Sequence, residues 1–531
     1  MQKKPWEVLF YKEKSPNNKF ELLETREDDR YVKEKTKENA DKQFHIYSEL
    51  RNNLRRLEED FKIPINSDIT VRKLKVCEYI DSFLICVDGL VDKKILDEVV
   101  LKNLMIRTKE LEIDKKGLID YLVNNIISIN NVIKENCFDK IEDHILRGSC
   151  ALFIDGFDTC ILIETRGYEK RSIEKPVNET VVRGAQEAFI EDLPTNISII
   201  RRLFKNKNLV VETMTIGGES NLSCAIIYLD SIINPEIPKE VKKRLNNAKS
   251  EAIMTSGMLE QHIEDNKWML FPQIMSTERP DRAVSFLMEG KALVILDGSP
   301  FACAMPITFF TLYHTSADNN LRWYYGSFIS LIRLAGLLIS VFLPSFYVAL
   351  VLFSQEMISS ELLSSIAGAR EGVPFPTIIE LVMMELAFDL IREASLRVPE
   401  IISSTLGIVG ALILGQAAVQ AGLVSPILII IVATSGIGSF AIPDYPLSLA
   451  VRITRFLFIT LAYMSGFYGI SIGMFIFFVL MCSMKSFGVP FLAPIAPKLR
   501  TSPDVILVKP INYMKYRPDE VSSLKKKKKN K

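Results

Sequence analysis

The chain has 531 residues with 65 basic and 64 acidic side chains, so its net charge at pH 7 is only +1. This balance gives no sign of wholesale nucleic-acid binding. Charged residues crowd the first part of the chain, whereas long uncharged intervals fill residues 300–484, which excludes both a single soluble globule and an all-membrane transporter.

The N-terminal region is predicted to stay in the cytoplasm. Residues 1–40 are charged and rich in lysine, which indicates a flexible arm. The polar N-terminus does not have the apolar segment of a signal peptide. The cysteines are scattered without a CxxC pair, so we expect them to be reduced and mostly buried. They are Cys77, Cys86, Cys137, Cys150, Cys160, Cys224, Cys303 and Cys482.

The water-facing part repeats itself at one constant offset. The stretch from Gly148 to Gly156 matches the stretch from Gly290 to Gly298, and residues 87–92 match residues 229–234 at the same spacing. Two matched pairs at one offset indicate a duplicated unit, although such short matches also arise by chance. The repeated units span roughly residues 71–156 and 213–298.

Each repeated unit has the pattern of an α/β subdomain with a mixed sheet. Apolar, β-branched runs at Phe83–Val87 and Ala225–Leu229 predict buried strands, and helical stretches follow at 94–107 and 238–248. A last strand in each unit ends at an Asp-Gly turn. The predicted organisation is a flexible arm (1–40), subdomain 1 (41–156), a connector (157–212), subdomain 2 (213–298), a segment leading to the membrane (299–326), a transmembrane helical bundle (327–484) and a basic cytoplasmic tail (485–531).

Four uncharged runs are long enough to cross a membrane as helices. A segment at 376–393 is a marginal fifth span because it carries several charges, and 299–317 is a candidate for dipping into the bilayer. Four crossings place both termini in the cytoplasm but leave Arg452 and Arg455 outside. Five crossings place these two arginines inside but move the basic tail to the outside. The four runs are 334–354, 401–421, 426–443 and 456–484.

The sequence does not contain the motifs of common enzymes. No P-loop, no GxGxxG after a strand, no HExxH and no nucleophile–base motif occurs. His45, His144, His262 and His314 are far apart and form no metal-binding pattern. The prediction is therefore a non-enzymatic protein with no cofactor and no metal.

Two charged clusters are the candidate functional residues. Arg279, Asp281 and Arg282 form either a capped helix start or a docking surface near the bilayer. Glu385, Asp389 and Glu393 share one helical face with Glu380 nearby. This acidic row is either the wet face of an interfacial helix or the lining of a cation pore.

Small residues along the predicted spans indicate close helix packing and favour an oligomer, which we expect to be formed from copies of this chain. They are Ser403, Ser404, Gly407, Gly410, Ala411, Gly415, Gly436, Gly438, Gly466, Gly469 and Gly473.

Several motifs together resemble the A-subunit family of spore germinant receptors, the GerA family of endospore-forming bacteria. The similarity extends over about residues 70–500. A paralogous group, the F protein encoded with the stage V sporulation A proteins, shares the fold of this family. The motifs are Thr165–Tyr168, Glu174–Pro176, Val182–Gly184, Glu187–Phe189, Leu193–Asn196, Gln261–Asp265, Phe271–Gln273, Thr277–Arg282, Leu296–Phe301 and Arg370–Pro376, with Glu380 and Glu385.

The resemblance implies a function that the residues alone do not give. It implies a partner B subunit that is transporter-like and senses the nutrient, a lipoprotein C subunit, and residence in the inner membrane of the dormant spore. It also implies that the A subunit oligomerises into the ion-conducting part of the receptor, or acts as a non-conducting scaffold of the same complex. Arg370 and Glu371 join Arg279, Asp281 and Arg282 as candidates for subunit docking or coupling.

Overall fold

The computed structural model describes most of the chain between residues 45 and 525. The predicted arm (1–40), most of the predicted span at 401–421 and the last lysines of the tail lie outside the described residues. The described ranges are 45–105, 117–167, 175–176, 178–181, 183–248, 253–397, 415–499, 505–510 and 516–525.

Subdomain 1 is a five-stranded sheet with helices on both faces. The strand order is β1-β2-β4-β5-β3. Helices α1 and α4 cover one face with an apolar cluster around Leu57, Phe138 and Phe153, and α2 and α3 cover the other. The elements are α1 (Leu50–Phe61), β1 (Ile69–Val76), β2 (Ile80–Val87), α2 (Ile95–Leu101, continuing as Lys102–Met105), α3 (Leu118–Tyr121, continuing as Leu122–Ile126), β3 (Val132–Glu135), α4 (Phe138–Leu146), β4 (Ser149–Ile154) and β5 (Cys160–Glu164).

Subdomain 2 repeats this topology strand for strand. Its order, β6-β7-β9-β10-β8, is the order of the first sheet with each strand replaced by its equivalent. The predicted α/β fold of two similar subdomains is therefore confirmed. The elements are α5 (Leu193–Leu203), β6 (Leu209–Ile216), β7 (Leu222–Leu229), α6 (Glu236–Asn247), α7 (Ser256–Ile263), β8 (Met275–Thr277), α8 (Pro280–Glu289), β9 (Ala292–Leu296) and β10 (Ala302–Met305).

The strand pairs of both sheets are antiparallel throughout the described residues, where the sequence pattern suggested mixed sheets. Hairpins join β1 to β2 and β4 to β5, and such short turns permit only antiparallel neighbours. The central strands are uninterrupted apolar runs because both of their faces are covered by helices. All six residues of β4 are buried for this reason.

A buried ion pair joins the two subdomains. Arg201 on α5 donates hydrogen bonds to both carboxylate oxygens of Asp68, at 2.6 and 2.8 Å, and a third to Asn66 Oδ1 at 3.0 Å. Asn66 also donates to the Leu209 carbonyl oxygen at 3.2 Å. Because Arg201 is 1% exposed, this contact fixes the relative orientation of the two sheets.

The described part of the C-terminal half is mostly helical. Two of its helices, α11 and α15, are long and apolar enough to cross a membrane. Helix α11 packs against both α14 and α15. The helices are α9 (Phe309–Tyr313), α10 (Ser316–Asn320), α11 (Trp323–Phe353), α12 (Ser360–Arg370), α13 (Thr377–Arg397), α14 (Pro426–Phe440) and α15 (Tyr445–Ser483).

Helix α15 reverses direction at Ser465 and Gly466, which have non-helical backbone angles. A straight helix would place the rings of Phe458 and Phe477 about 28 Å apart, but their centroids lie 6.2 Å apart. Helix α15 is therefore two antiparallel limbs, and the uncharged run at 456–484 is not one continuous span. The reversal tip lies against Phe353, the last residue of α11.

Replacing Gly466 with alanine is expected to destabilise the helical bundle by about 1–3 kcal/mol. Its φ of 59° and ψ of −136° suit glycine alone, and a β carbon would lie 2.9 Å from the Phe353 ring. Gly436→Ala in α14 is the matched control, because a β carbon there meets nothing within 4 Å. Melting temperature in detergent should fall for Gly466→Ala alone; equal melting temperatures for the two variants would contradict the reversal.

The chain returns to subdomain 2 after α15. A short hairpin, β11 (Lys485–Ser486) with β12 (Val489–Pro490), follows the second limb. Ser486 donates to the Gln273 carbonyl oxygen at 2.7 Å, and Asp265 accepts the Phe487 backbone N–H at 2.6 Å. One continuous apolar core then runs from the sheet of subdomain 2 into the membrane helices.

Candidate functional site

The acidic row lies on α13, and its side chains become more exposed from Glu380 to Glu393. We call the end of the bundle that contacts subdomain 2 the proximal end and the opposite end the distal end. Glu380 lies near the distal end, and Asp389 and Glu393 lie towards the proximal end. Glu380 and Glu385 are buried, Asp389 is half-buried and Glu393 is exposed.

Glu385 forms a buried ion pair with an arginine of α15. Arg455 Nη1 lies 2.8 Å from Glu385 Oε2, and the side chains are 2% and 1% exposed. Ser435 on α14 donates a further hydrogen bond to Glu385 Oε1 at 2.9 Å. One carboxylate therefore joins three helices, which is how buried charge is tolerated among apolar segments.

Asp389 extends this pair into a network. It accepts hydrogen bonds from Arg452 and Arg455, both at 3.2 Å. Arg392, one turn further along α13, donates to Ser439 at 3.0 Å. We call Glu385, Asp389, Arg452 and Arg455 the acid–arginine network. It explains why two arginines occur in an otherwise apolar limb of α15.

Glu380 belongs to a separate cluster at the distal end. Its Oε2 accepts the Ser425 backbone N–H at 3.2 Å, at the N-terminus of α14, where a negative charge is favoured. Arg370 Nε lies 3.6 Å from Glu380 Oε1. Of the sequence-predicted residues, the structure thus brings Glu385 and Asp389 together and joins Glu380 to Arg370, while Glu371 and Glu393 lie on the surface.

Arginine side chains of the cluster at 279–282 bind the connector to subdomain 2. Arg279 is 1% exposed. It bonds Asp281 Oδ2 at 2.7 Å and the carbonyl oxygens of Glu179 and Ala185 at 3.2 and 3.0 Å. Both predicted roles remain compatible with this geometry, because Asp281 lies in the first turn of α8 while Arg279 reaches into a different segment.

Arg282 connects three parts of the molecule. Its guanidinium pairs with the Glu179 carboxylate of the connector. It also donates to the carbonyl oxygens of His314 at 2.7 Å and Thr311 at 3.2 Å, in the segment that leads to α11. A shift of α8 would therefore be transmitted to the segment that precedes α11.

A second ion pair continues this connection into α11. Arg333 donates to Asp318 Oδ2 at 2.9 Å and to the Tyr313 carbonyl oxygen at 2.9 Å. Burial opposes ionisation of Asp318, but hydrogen bonds from His314 and Arg333 hold its pKa below the usual value. Glu179, Asp318 and Arg333 were not predicted from sequence, because nothing but their charge distinguishes them there. We call Glu179, Arg282, Asp318 and Arg333 the junction cluster.

A cleft of about 300 Å³ opens beside the junction cluster. Helix α8, the segment at 308–320 and the C-terminal tail line it, with Lys291 and Glu520 among the charged side chains. Burial raises the pKa of Glu520 to about 7, and Lys291 opposes that rise. Within the described residues, no group of three or more His, Cys, Asp or Glu side chains has the arrangement of a metal site.

Comparison with known proteins identifies a family and several relatives. Residues 55–520 match the family described as Bacillus/Clostridium GerA spore germination protein. The chain is 38% identical to "Spore germination protein KA" of Bacillus subtilis over 82% of this chain and 80% of that protein. It is 37% identical to "Spore germination protein GerLA" of Bacillus cereus over 85% of this chain and 91% of that protein.

One solved structure is also similar. It is the crystal structure of the N-terminal domain of the A subunit of the Bacillus megaterium spore germinant receptor GerK3. The TM-score is 0.41 at 24% identity, and the alignment covers 50% of this chain and 98% of that one.

Proposed function

The chain belongs to the GerA family of Bacillus/Clostridium spore germination proteins, and from this membership we propose that it is the cation-conducting A subunit of a nutrient germinant receptor. Its role as an A subunit in spore germination follows from the family. The further proposal is that several copies assemble into a channel for monovalent cations, which opens when nutrient binds to the complex.

The acidic helix α13 is the observation that carries the channel proposal. Its carboxylates lie inside a bundle of apolar helices, where charge is costly unless it faces water, a partner or an ion pathway. In an oligomer, copies of Glu380, Glu385, Asp389 and Glu393 would form rings that attract cations and repel anions. Asp389 and Glu393 are the members with exposed surface in the single chain.

We propose that this chain spans the membrane six times, with the two soluble subdomains and the segment that follows α15 in the cytoplasm. Helices α11, α13, α14 and the two limbs of α15 supply five passages. The chain is near the proximal end at Arg392 and at the distal end at Gly422, where a β carbon would lie 3.3 Å from the Gly372 carbonyl oxygen. The sequence-predicted span at 401–421, most of which lies outside the described residues, would be the sixth. This topology places Arg452 and Arg455 in the cytoplasmic half of their limb, in accord with the positive-inside tendency.

A labelling experiment tests this topology. Glu361→Cys on α12 should react with a membrane-impermeant maleimide added outside intact cells, whereas Lys239→Cys on α6 should react only after permeabilisation. Both positions are exposed. The background chain carries Cys137→Ser and Cys482→Ser, because the other native cysteines are buried. Labelling of Lys239→Cys in intact cells would contradict a cytoplasmic soluble region.

The junction cluster is the proposed route from the soluble region to the channel. Arg282 and Arg279 hold the connector, and Arg282 also bonds the segment before α11. We propose that the transporter-like B subunit and the lipoprotein C subunit act on this region, on Asp281, or on Arg370 and Glu371 at the distal end. The receptor would reside in the inner membrane of the spore.

A non-conducting scaffold is the second candidate function, and the acid–arginine network favours it. Glu385 and Asp389 are neutralised by arginines within the same chain. Carboxylates in such pairs can simply hold helices together. In that case α13 would transmit movement between subunits without lining an ion pathway.

Potassium flux from liposomes separates the two functions. The receptor complex is reconstituted with either the wild-type A subunit or the double variant Glu385→Gln, Asp389→Asn, and flux is measured with and without germinant. A channel subunit predicts germinant-dependent flux that falls in the double variant. Flux and ion selectivity that are unchanged would favour the scaffold.

A further arm of the same experiment tests the coupling route. Arg282→Gln should reduce the response to germinant while leaving ion selectivity unchanged, because it loosens the junction without altering α13. Lys242→Gln is the control, since that lysine on α6 bonds within subdomain 2, to Glu212 of β6 at 2.8 Å. Equal germinant responses in the two variants would remove the junction from the route.

A further inference from the structure

A short loop of subdomain 2 lies beside the point where the last membrane helix ends. Residues 266–271, which we call the Trp268 loop, precede β8. The ring of Phe271 lies 5.5 Å from that of Phe477, which is in the final turns of α15. Met269 lines a small cleft together with Ser483 and Lys485. The Trp268 loop therefore lies level with the proximal end of the apolar helices.

The Trp268 loop presents its apolar side chains outwards. Trp268 is 80% exposed and Leu270 is 40% exposed, whereas Met269 is half-buried and Phe271 is buried. A tryptophan side chain is rarely this exposed on a water-soluble surface, because burial of its large ring is energetically favourable. The described part of the chain therefore leaves the Trp268 ring largely uncovered.

The exposure of Trp268 is fixed by hydrogen bonds. Gln273, which is 1% exposed, donates to the Asn266 carbonyl oxygen at 2.7 Å and accepts the Asn266 backbone N–H at 3.1 Å. Asn266 Oδ1 in turn accepts the Trp268 backbone N–H at 3.1 Å. These bonds hold the tip of the loop in its outward position, so the exposed ring is part of a defined conformation.

The start of α11 carries aromatic side chains of the same kind. Trp323, Tyr324 and Tyr325 are 51%, 39% and 55% exposed and precede the exposed apolar face of that helix. Tryptophan and tyrosine concentrate where the hydrocarbon of a bilayer meets its headgroups, since their rings are apolar and their tips are polar. Lys267 in the Trp268 loop and Lys485 beside it are exposed. Their positive charges would attract anionic headgroups.

We propose that the Trp268 loop inserts into the headgroup boundary of the bilayer, so that subdomain 2 contacts lipid directly. The loop, beside the end of α15, and the aromatic residues at the start of α11 both lie at the proximal end of the helical bundle, and the proposed partner is the membrane itself. Subdomain 2 is then held at the membrane both by the junction cluster and by lipid. The inference rests on the proposed membrane insertion of the helices.

Tryptophan fluorescence in vesicles containing brominated lipids tests the proposal. The full chain has three tryptophans, Trp6, Trp268 and Trp323. A chain with Trp6→Phe and Trp323→Phe reports on Trp268 alone, and a chain with Trp6→Phe and Trp268→Phe reports on Trp323. The negative control replaces all three with phenylalanine and adds Tyr79→Trp, at a 69% exposed position in the turn between β1 and β2.

Trp268 should be quenched about threefold more strongly than the Tyr79→Trp reporter, and most strongly by bromine placed near the headgroups. Quenching of Trp323 with none of Trp268 would overturn this inference and leave membrane insertion standing. Absence of quenching at both positions would overturn both this inference and the proposed membrane insertion of the helices. Blue-shifted but unquenched Trp268 emission would also overturn this inference, because a second copy or another protein would then cover the loop.

Discussion

Arg455→Gln is expected to destabilise the helical bundle by about 3–5 kcal/mol. The substitution removes the arginine that neutralises Glu385, a carboxylate with 1% exposure, and leaves that charge with no cationic partner and only the Ser435 hydroxyl as a hydrogen-bond donor. It also removes one of the two arginines that bind Asp389. Because the network joins α13 to α15, both helices should separate more easily. The melting temperature of the detergent-solubilised protein and its abundance in membranes report the loss.

Two variants provide controls for Arg455→Gln. Arg452→Gln should cost less, because Asp389 is 26% exposed and keeps Arg455 as its partner. The double variant Glu385→Gln, Arg455→Gln should recover part of the lost stability, since no isolated buried charge remains. If Arg455→Gln and Arg452→Gln melted at the same temperature, the buried Arg455–Glu385 pair would not be the dominant contact between these helices.

Arg201→Gln is the second substitution with a large expected effect, again about 3–5 kcal/mol. Asp68 and Asn66 are 7% and 1% exposed, so both would keep buried polar atoms without their arginine donor. The two subdomains would lose the contact that fixes their orientation. We expect the full-length protein to unfold at lower denaturant concentration.

The neighbouring Arg202→Gln is a matched control for Arg201→Gln. Arg202 also pairs with a carboxylate, Glu187, but the two side chains are 28% and 40% exposed. Pairs as open as this contribute about 0–1 kcal/mol. Similar unfolding curves for the two variants would contradict the assigned role of Arg201.

The strands of the soluble region could be predicted because their residues carry the signal locally. The apolar runs at Phe83–Val87 and Ala225–Leu229 lie within β2 and β7, and the Asp-Gly turns follow β4 and β9. The duplicated sequence also predicted the duplicated topology. Strand direction within the sheet was not predictable, since it depends on which strands are neighbours.

The reversal in α15 could not be found from sequence. Ser465 and Gly466 stand in an uncharged run, and glycine is common in membrane helices. Only the left-handed conformation at Gly466 and the approach of Phe353 distinguish it from other glycines of the bundle. Without that reversal, the run at 456–484 has the length and composition of a single span.

The acidic row was predictable, but its partners were not. Glu385 and Asp389 stand out as charges among apolar residues, whereas Arg452 and Arg455 conflicted with the expected topology. Their pairing depends on the packing of α13 against α15, which no local pattern encodes. The roles of Glu179, Asp318 and Arg333 in the junction cluster could not be predicted for the same reason.

Potassium flux through the reconstituted receptor, compared between Asp389→Asn and Arg452→Gln, tests the proposed ion pathway most directly. If α13 lines the pathway, removing the carboxylate lowers the local negative potential and should reduce flux, whereas removing the arginine that offsets it should increase flux. Opposite changes are the result expected here. Changes of the same sign, or none in either variant at equal protein abundance, would contradict a cation pathway along α13.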